Sequence, residues 1–267
     1  VADRYAGKNH EVTDRSNKMT LTQISATAEA KSRLETHGWL MTGPAERRTH
    51  FILAHGAGAG MTSPFLTRIA QLLDDGGATV HRFEFGYMAA RTAGGGRRPA
   101  PRAETLVDEY HAAIAVCRAR IGPEARLFIG GKSMGGRIAC IASTGAGGTG
   151  ISGVAVLGFP LIPPGKPHAS RARVIEKLSV PTLIVQGTRD AFGAAEAFAD
   201  VRIPAHVRLH WIADGDHDLR PRKASGGHTK RRCRTPRKRC SAFFTASAFD
   251  VRRAGGELGQ PVPERRR

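Results

Sequence analysis

Six short apolar runs recur between residues 49 and 212: Thr49–Ala54, Thr79–Phe85, Leu127–Ile129, Val154–Gly158, Pro181–Gly187 and Val207–Ile212. Runs this short, apolar on successive residues and flanked by glycine or proline, suit strands buried on both faces. Between them lie segments of helical period. From Ser63-Pro64 to the stop at Gly76-Gly77, the residues Phe65, Ile69, Leu72 and Leu73 share one helical face. Glu104–Ile121 does the same with Leu106, Tyr110, Ile114 and Cys117. Strand and helix in alternation predict an α/β fold built on a mainly parallel central sheet flanked by helices. In such sheets, chemistry gathers beyond the carboxyl ends of the strands.

With 267 residues, 40% of them hydrophobic and 24% charged, the chain can bury one sizeable core and is not of disordered composition. The net charge of +18 invites a nucleic-acid reading, but 15 of the 41 Lys and Arg and only 3 of the 23 Asp and Glu lie from Arg220 onward. Two thirds of the excess therefore belongs to an appendage, and any nucleic acid would be bound through that tail alone. Three regions are predicted: a loose arm over 1–18, one domain over 19–227 and a basic, poorly ordered tail over 228–267. Within the domain, Thr20–Ala26 alternates like an edge strand with His37–Met41 as its hairpin partner, and Gly86–Arg102 reads as a long surface loop. The longest apolar stretch, Ile151–Pro164, is broken by Gly158 and Pro160, and the polar start lacks a secretory core, so no membrane contact is expected. Cys117, Cys140, Cys233 and Cys240 lack metal-ligand spacing. The first two sit in apolar helical patterns as buried thiols, which suits a cytoplasmic protein. No metal or cofactor is expected.

The sharpest local pattern is Gly131-Lys132-Ser133-Met134-Gly135, directly after the Leu127–Ile129 run. It fits G-x-S-x-G, in which small residues let a serine sit on a tight strand-to-helix turn above a helix N-terminus. A nucleophilic serine needs a base, an orienter for that base and donors for an oxyanion. His217, just past the last strand, is the candidate base, although a loop histidine is often only solvent-exposed. Asp190, after the preceding strand, is the candidate orienter, although it could merely cap a helix over Ala194–Ala199. The order Ser133, Asp190, His217 is that of the strand-to-helix serine enzymes. The backbone N–H groups of Met134 and Ala57 are the candidate oxyanion donors, the latter within the glycine loop His55–Gly60. A phosphate loop there fails on spacing, because residue 61 is Met and no Lys-Ser/Thr pair follows. Lys132 and Arg137 flank the serine and read as solvated side chains rather than as a site for anionic substrates.

Taken together, His55–Gly60, Gly130–Arg137, Gly158-Phe159-Pro160-Leu161, Gln186–Asp190 and Ala213–His217 resemble a small group of α/β-hydrolases. It includes bacterial predicted hydrolases and related domains in testis-expressed protein thirty and in a subunit of a histone-acetyltransferase regulatory complex. The resemblance runs from about Thr49 to Lys223 and implies an α/β-hydrolase fold in which Ser133 is the nucleophile, Asp190 the acid and His217 the base. It implies hydrolysis of carboxylic esters, with thioesters or amides as further candidates, and leaves the substrate open. Related proteins without activity keep an alternative open, a fold with an idle triad used for partner binding. Only Phe159–Val180 separates two strands where such folds often insert a lid, so no cap domain is expected. The cleft should be open to bulky or polymer-attached esters and walled by Phe159, Leu161 and Tyr87 of the 86–102 loop. The segment Lys230–Arg239 is too charged for the packed helix that ordinarily follows the histidine. Of two readings for this ending, a polyanion-binding extension and the product of a shifted reading frame, the second is favoured.

Overall fold

The computed structural model describes residues 28–29, 31–32, 34, 38–96, 99–165 and 171–222. The predicted arm, the strand over Thr20–Ala26, and the tail over 228–267 lie outside them. Seven strands are present among the described residues: β1 (Trp39–Thr42), β2 (Thr49–Ala54), β3 (Thr79–Phe83), β4 (Arg126–Lys132), β5 (Ile151–Leu157), β6 (Thr182–Gly187) and β7 (Val207–Ile212). They form one sheet in the order β1-β3-β2-β4-β5-β6-β7. All neighbours are parallel except β1 and β3. The expected hairpin partner is thus a strand, and among the described residues it pairs with β3. The helices from residue 38 onward among the described residues are α1 (Pro64–Asp75), α2 (Gly86–Thr92), α3 (Val107–Ile121), α4 (Met134–Ala142) and α5 (Ala172–Glu176).

Side-chain alternation explains why the strand runs are apolar throughout. Ile52, Ile129, Val154, Val156 and Ile184 face a core with Tyr110, Val116, Cys117 and Cys140 of α3 and α4. Phe51, Leu53, Phe128, Ala155, Leu157, Leu183 and Val185 face the other, with Leu66, Ile69 and Leu73 of α1. Both faces are covered, as a parallel sheet requires. Cys117 and Cys140 are buried free thiols, and burial pushes each up to about 12. Pro64 opens α1, Ser63 Oγ accepts from Leu66 N–H at 3.4 Å, and Gly76 N–H closes onto Leu72 O at 3.1 Å.

The 86–102 segment is not a plain loop. Its first turns form α2, with Met88 buried, and Gly86 N–H donates to the Glu109 carboxylate on α3 at 2.6 Å. A helix of seven residues begun on glycine and capped by a group 23 residues away leaves little local signal. The expected helix at Ala194–Ala199 is a single 3₁₀ turn over Ala195–Phe198. No helix among the described residues is long and apolar enough to cross a membrane.

The neighbouring strands β1, β3 and β2 are joined by a ring relay. Trp39 Nε1–H donates to His81 Nδ1 at 3.1 Å, which leaves the His81 proton on Nε2 to donate to His50 Nδ1 at 3.0 Å. Burial holds His81 down at about 4, and the neighbouring His50 and Arg120 act in the same sense. The unfolded chain takes up that proton near the ordinary 6.5, whereas the folded chain resists until about 4. Between those values the unfolded state binds more protons, so stability falls as pH drops through that window, by up to ~3 kcal/mol from this residue. Urea unfolding between pH 7.5 and 4 should show this loss. His81→Gln, which keeps an acceptor and a donor, should make the slope shallower; an unchanged slope would contradict the assignment.

Candidate active site

The chain passes β2 and β3 on one side and returns to place β4 on the other, so the crevice beyond the strand ends lies between β2 and β4. Ser133 stands there, one residue past β4, with φ 52° and ψ −115°. This left-handed backbone is uncommon for a residue with a side chain and marks a strained turn. It is held by Ser133 N–H donating to Leu157 O at 2.9 Å and by Arg137 N–H donating to Ser133 O at 3.0 Å. Gly135 lets the turn close, because a Cβ there would overlap the carbonyl oxygen of His55.

His217 Nε2 lies 2.9 Å from Ser133 Oγ, and His217 Nδ1 lies 2.8 Å from Asp190 Oδ2. A carboxylate only accepts, so Nδ1 carries the ring proton and Nε2 is left to accept from the Ser133 hydroxyl. Asp190 is fully buried and well supplied with donors. Phe192 N–H donates to its Oδ1 at 2.8 Å, and Gln186 Nε2 donates to its Oδ2 at 2.8 Å. Gln186, itself buried, also donates to Gly193 O at 3.0 Å and Phe159 O at 3.3 Å, while its Oε1 accepts from Phe159 N–H at 2.7 Å. Sequence reasoning missed this residue. A glutamine ending an apolar strand, four positions before a candidate carboxylate, was the available signal.

The His217 loop starts at β7 but ends over β4, three strand spacings away, roughly 14 Å. It lies flat because the intervening strand ends are bare. A Cβ on Gly187 would overlap the carbonyls of Gly215 and Asp216, and one on Gly158 would lie 2.9 Å from His217 O and 3.3 Å from its ring. The base of the loop is fixed by Asp214, whose N–H donates to Thr188 Oγ1 at 2.9 Å. The Asp214 carboxylate accepts from the Arg222 side chain and N–H, both at 2.8 Å, and these bonds pull it down to about 2. Phe192 sets its ring edge against His217, with centroids 4.7 Å apart.

The glycine loop after β2 faces this constellation from the other side. His55 Nε2 accepts from Phe85 N–H at 3.1 Å, so its proton sits on Nδ1 and is donated to Gly56 O at 2.7 Å. Burial lowers its proton affinity, which keeps this neutral tautomer. The Tyr87 hydroxyl lies 3.3 Å from both Gly56 O and Ala57 O, donating to this pair. Half-burial drives that phenol up to about 12. The Gly56 and Ala57 carbonyls are thereby engaged. Ala57 is exposed, and Met134 is the first residue of α4, where an N–H has no intrahelical partner.

Four sequence expectations need correction. Phe159 and Leu161 are fully buried and cannot wall a cleft: after Gly158, at φ +69°, the chain turns inward and both side chains join the α3–α4 core. Lys132 and Arg137 are not solvated either. Arg137 Nη1 pairs with Glu104 at 2.9 Å, and Lys132 Nζ donates to His217 O at 2.7 Å. Tyr87 does stand beside the glycine loop. No group of three or more His, Cys, Asp or Glu among the described residues could hold a metal ion.

Residues 47–245 match the alpha/beta hydrolase domain family, and the chain belongs to it. Its fold is shared with an alpha-beta serine hydrolase homologue from Coxiella burnetii, at 19% identity and TM-score 0.54 over 68% of this chain and 83% of that one. It is shared likewise with a lidless α/β serine hydrolase from Xanthomonas campestris, at 19% identity and TM-score 0.52 over 68% and 80%. Dienelactone hydrolase from Anabaena variabilis aligns at 19% identity and TM-score 0.52 over 68% and 82%.

Of the four groups that Gln186 bonds, Asp190 Oδ2 and Phe159 O keep a second donor in His217 and Leu161 N–H, whereas Phe159 N–H and Gly193 O would be abandoned. Gln186→Leu should therefore destabilise the fold by about 2–4 kcal/mol, roughly 1–2 kcal/mol for each of those two. Thermal unfolding should fall by about 5–12 °C. A fall below about 2 °C would show that those groups find other partners.

Proposed function

We propose that this protein is a serine hydrolase that cleaves carboxylic esters, with thioesters or amides as further substrates, through an acyl-enzyme on Ser133. The observation that carries the reading is the unbroken chain Ser133 Oγ, His217 Nε2, His217 Nδ1, Asp190 Oδ2, with links of 2.9 and 2.8 Å. In the mechanism, His217 accepts the Ser133 proton as the hydroxyl oxygen attacks the acyl carbonyl. Asp190 keeps the ring in its productive tautomer and stabilises the imidazolium. The N–H groups of Met134 and Ala57 receive the oxyanion. The His217 proton then passes to the leaving alcohol, and a water activated by the same ring releases the acid.

Support for an accommodating substrate side comes from exposure. Ala57, Gly58 and Ala59 are exposed, and the His217 side chain is 24% accessible. Between β5 and β6 the described chain holds only α5. A bulky or polymer-attached acyl donor therefore meets few walls, and the Xanthomonas campestris hydrolase that shares this fold is likewise without a lid. The motif-level likeness to the testis-expressed protein thirty group supports the same roles for the three side chains without narrowing the substrate.

A fluorophosphonate probe should label the protein on Ser133, and Ser133→Ala should abolish both labelling and hydrolysis of a panel of short- and long-chain nitrophenyl esters. Asp190→Asn should lower kcat by roughly 10³–10⁴-fold by stabilising the wrong ring tautomer. A folded wild-type protein that neither labels nor turns over any ester would instead favour the partner-binding alternative.

A further inference from the structure

We propose that Lys132 is a positioning residue: its ammonium latches the tip of the β7 loop to the end of β4 and so sets the approach of the His217 ring to Ser133. The inference rests on the serine-hydrolase reading of the site and deepens it. Lys132 immediately precedes Ser133, and its Nζ donates to the carbonyl oxygen of His217 at 2.7 Å while Ser133 Oγ meets the ring of the same residue at 2.9 Å. One dipeptide therefore grips one residue at both ends, backbone and imidazole.

Apart from the contacts of the His217 ring with Asp190 and Phe192, both beyond the end of β6, the other ties of this loop lie at its foot or within it. Asp214 binds Thr188, Arg189 and Arg222 near β6 and β7, and Gly215 bridges Pro221. Asp216 accepts from the N–H groups of Asp218 and Arg220 within the loop itself. None of these holds the tip against β4, three strands from where the loop begins. Lysine reaches from the strand end to this backbone oxygen on four methylenes and offers three donors.

The setting of the ammonium is costly for a mere surface charge. Its side chain is 10% exposed, and burial lowers its proton affinity against the opposing pull of Asp218, Asp190 and Asp216. Asp218 Oδ1 stands 3.5 Å away and the Phe65 ring centroid 5.7 Å away, so carboxylate and aromatic face together keep the charge in place. A lysine with no task at this position would extend into water.

The test compares wild type, Lys132→Met and Lys132→Arg in two readouts. In ester hydrolysis, Lys132→Met should lower kcat about 10–100-fold with KM changed less than about threefold, the pattern of a misplaced base rather than of lost substrate binding. Lys132→Arg, which keeps charge and donors, should recover most of that loss. In proton NMR, the far-downfield Nδ1–H resonance of His217, assigned by its absence in His217→Ala, should be sharp in wild type, lost to solvent exchange in Lys132→Met and regained in Lys132→Arg. Retention of both kcat and the resonance in Lys132→Met would overturn the latch. So would a kcat loss that merely matches a loss of folded protein. The NMR readout needs no turnover. An inactive wild type whose resonance still depends on Lys132 would refute the hydrolase reading and leave the latch standing.

Discussion

The hydrogen bond between His217 and Ser133 spans a gap that the fold itself does not close. Strand order puts the two residues just beyond β7 and β4, with β5 and β6 between them, so the loop must lie back across three strand ends. Glycines at 187 and 158 clear the way, and a lysine at 132 meets the tip. A side chain at Gly187 would press on the loop at Gly215 and Asp216, and one at Gly158 on His217 itself, so either would disturb the approach of the imidazole to the serine. Much of the sheet's C-terminal rim is thus shaped by one loop's path.

The two loops that face Ser133 are held by different physics. The glycine loop is braced by neutral groups: His55 in its Nδ1–H form and the Tyr87 phenol both donate to its carbonyls. Neutral donors orient the backbone without placing a net charge where an oxyanion would form, which suits a pocket built from N–H dipoles. The base loop is braced by ions, Asp214 with Arg189 and Arg222 at its foot and Lys132 with Asp218 at its tip. Asp190, buried between, has Phe192 N–H, Gln186 and His217 as donors, so its charge is satisfied on each side.

Much of this was legible in the residues, for definite reasons. Strands buried on both faces are apolar on every position, so β2, β5 and β6 stood out, and Ser63-Pro64 and Gly76-Gly77 bracket α1 by local capping chemistry. The order of Ser133, Asp190 and His217 beyond the ends of β4, β6 and β7 was readable because each follows its own strand. What escaped depends on contacts between distant segments. The cap of α2 comes from Glu109, and the support of Asp190 comes from Gln186 as part of a four-bond network. Lys132 looks like a solvated charge until the β7 loop is laid over it. Phe159 and Leu161 misled for a related reason: the turn at Gly158 sends them inward rather than along the rim.

The central claim is that Ser133 becomes covalently acylated with His217 as its base. Rapid-quench mass spectrometry during turnover of a slowly deacylating nitrophenyl ester reads this directly. A burst of one nitrophenol per folded protein is expected, with the acyl mass on the peptide carrying Ser133 and no burst in His217→Ala. Ester hydrolysis with no covalent species, or with the acyl group on another residue, would contradict it.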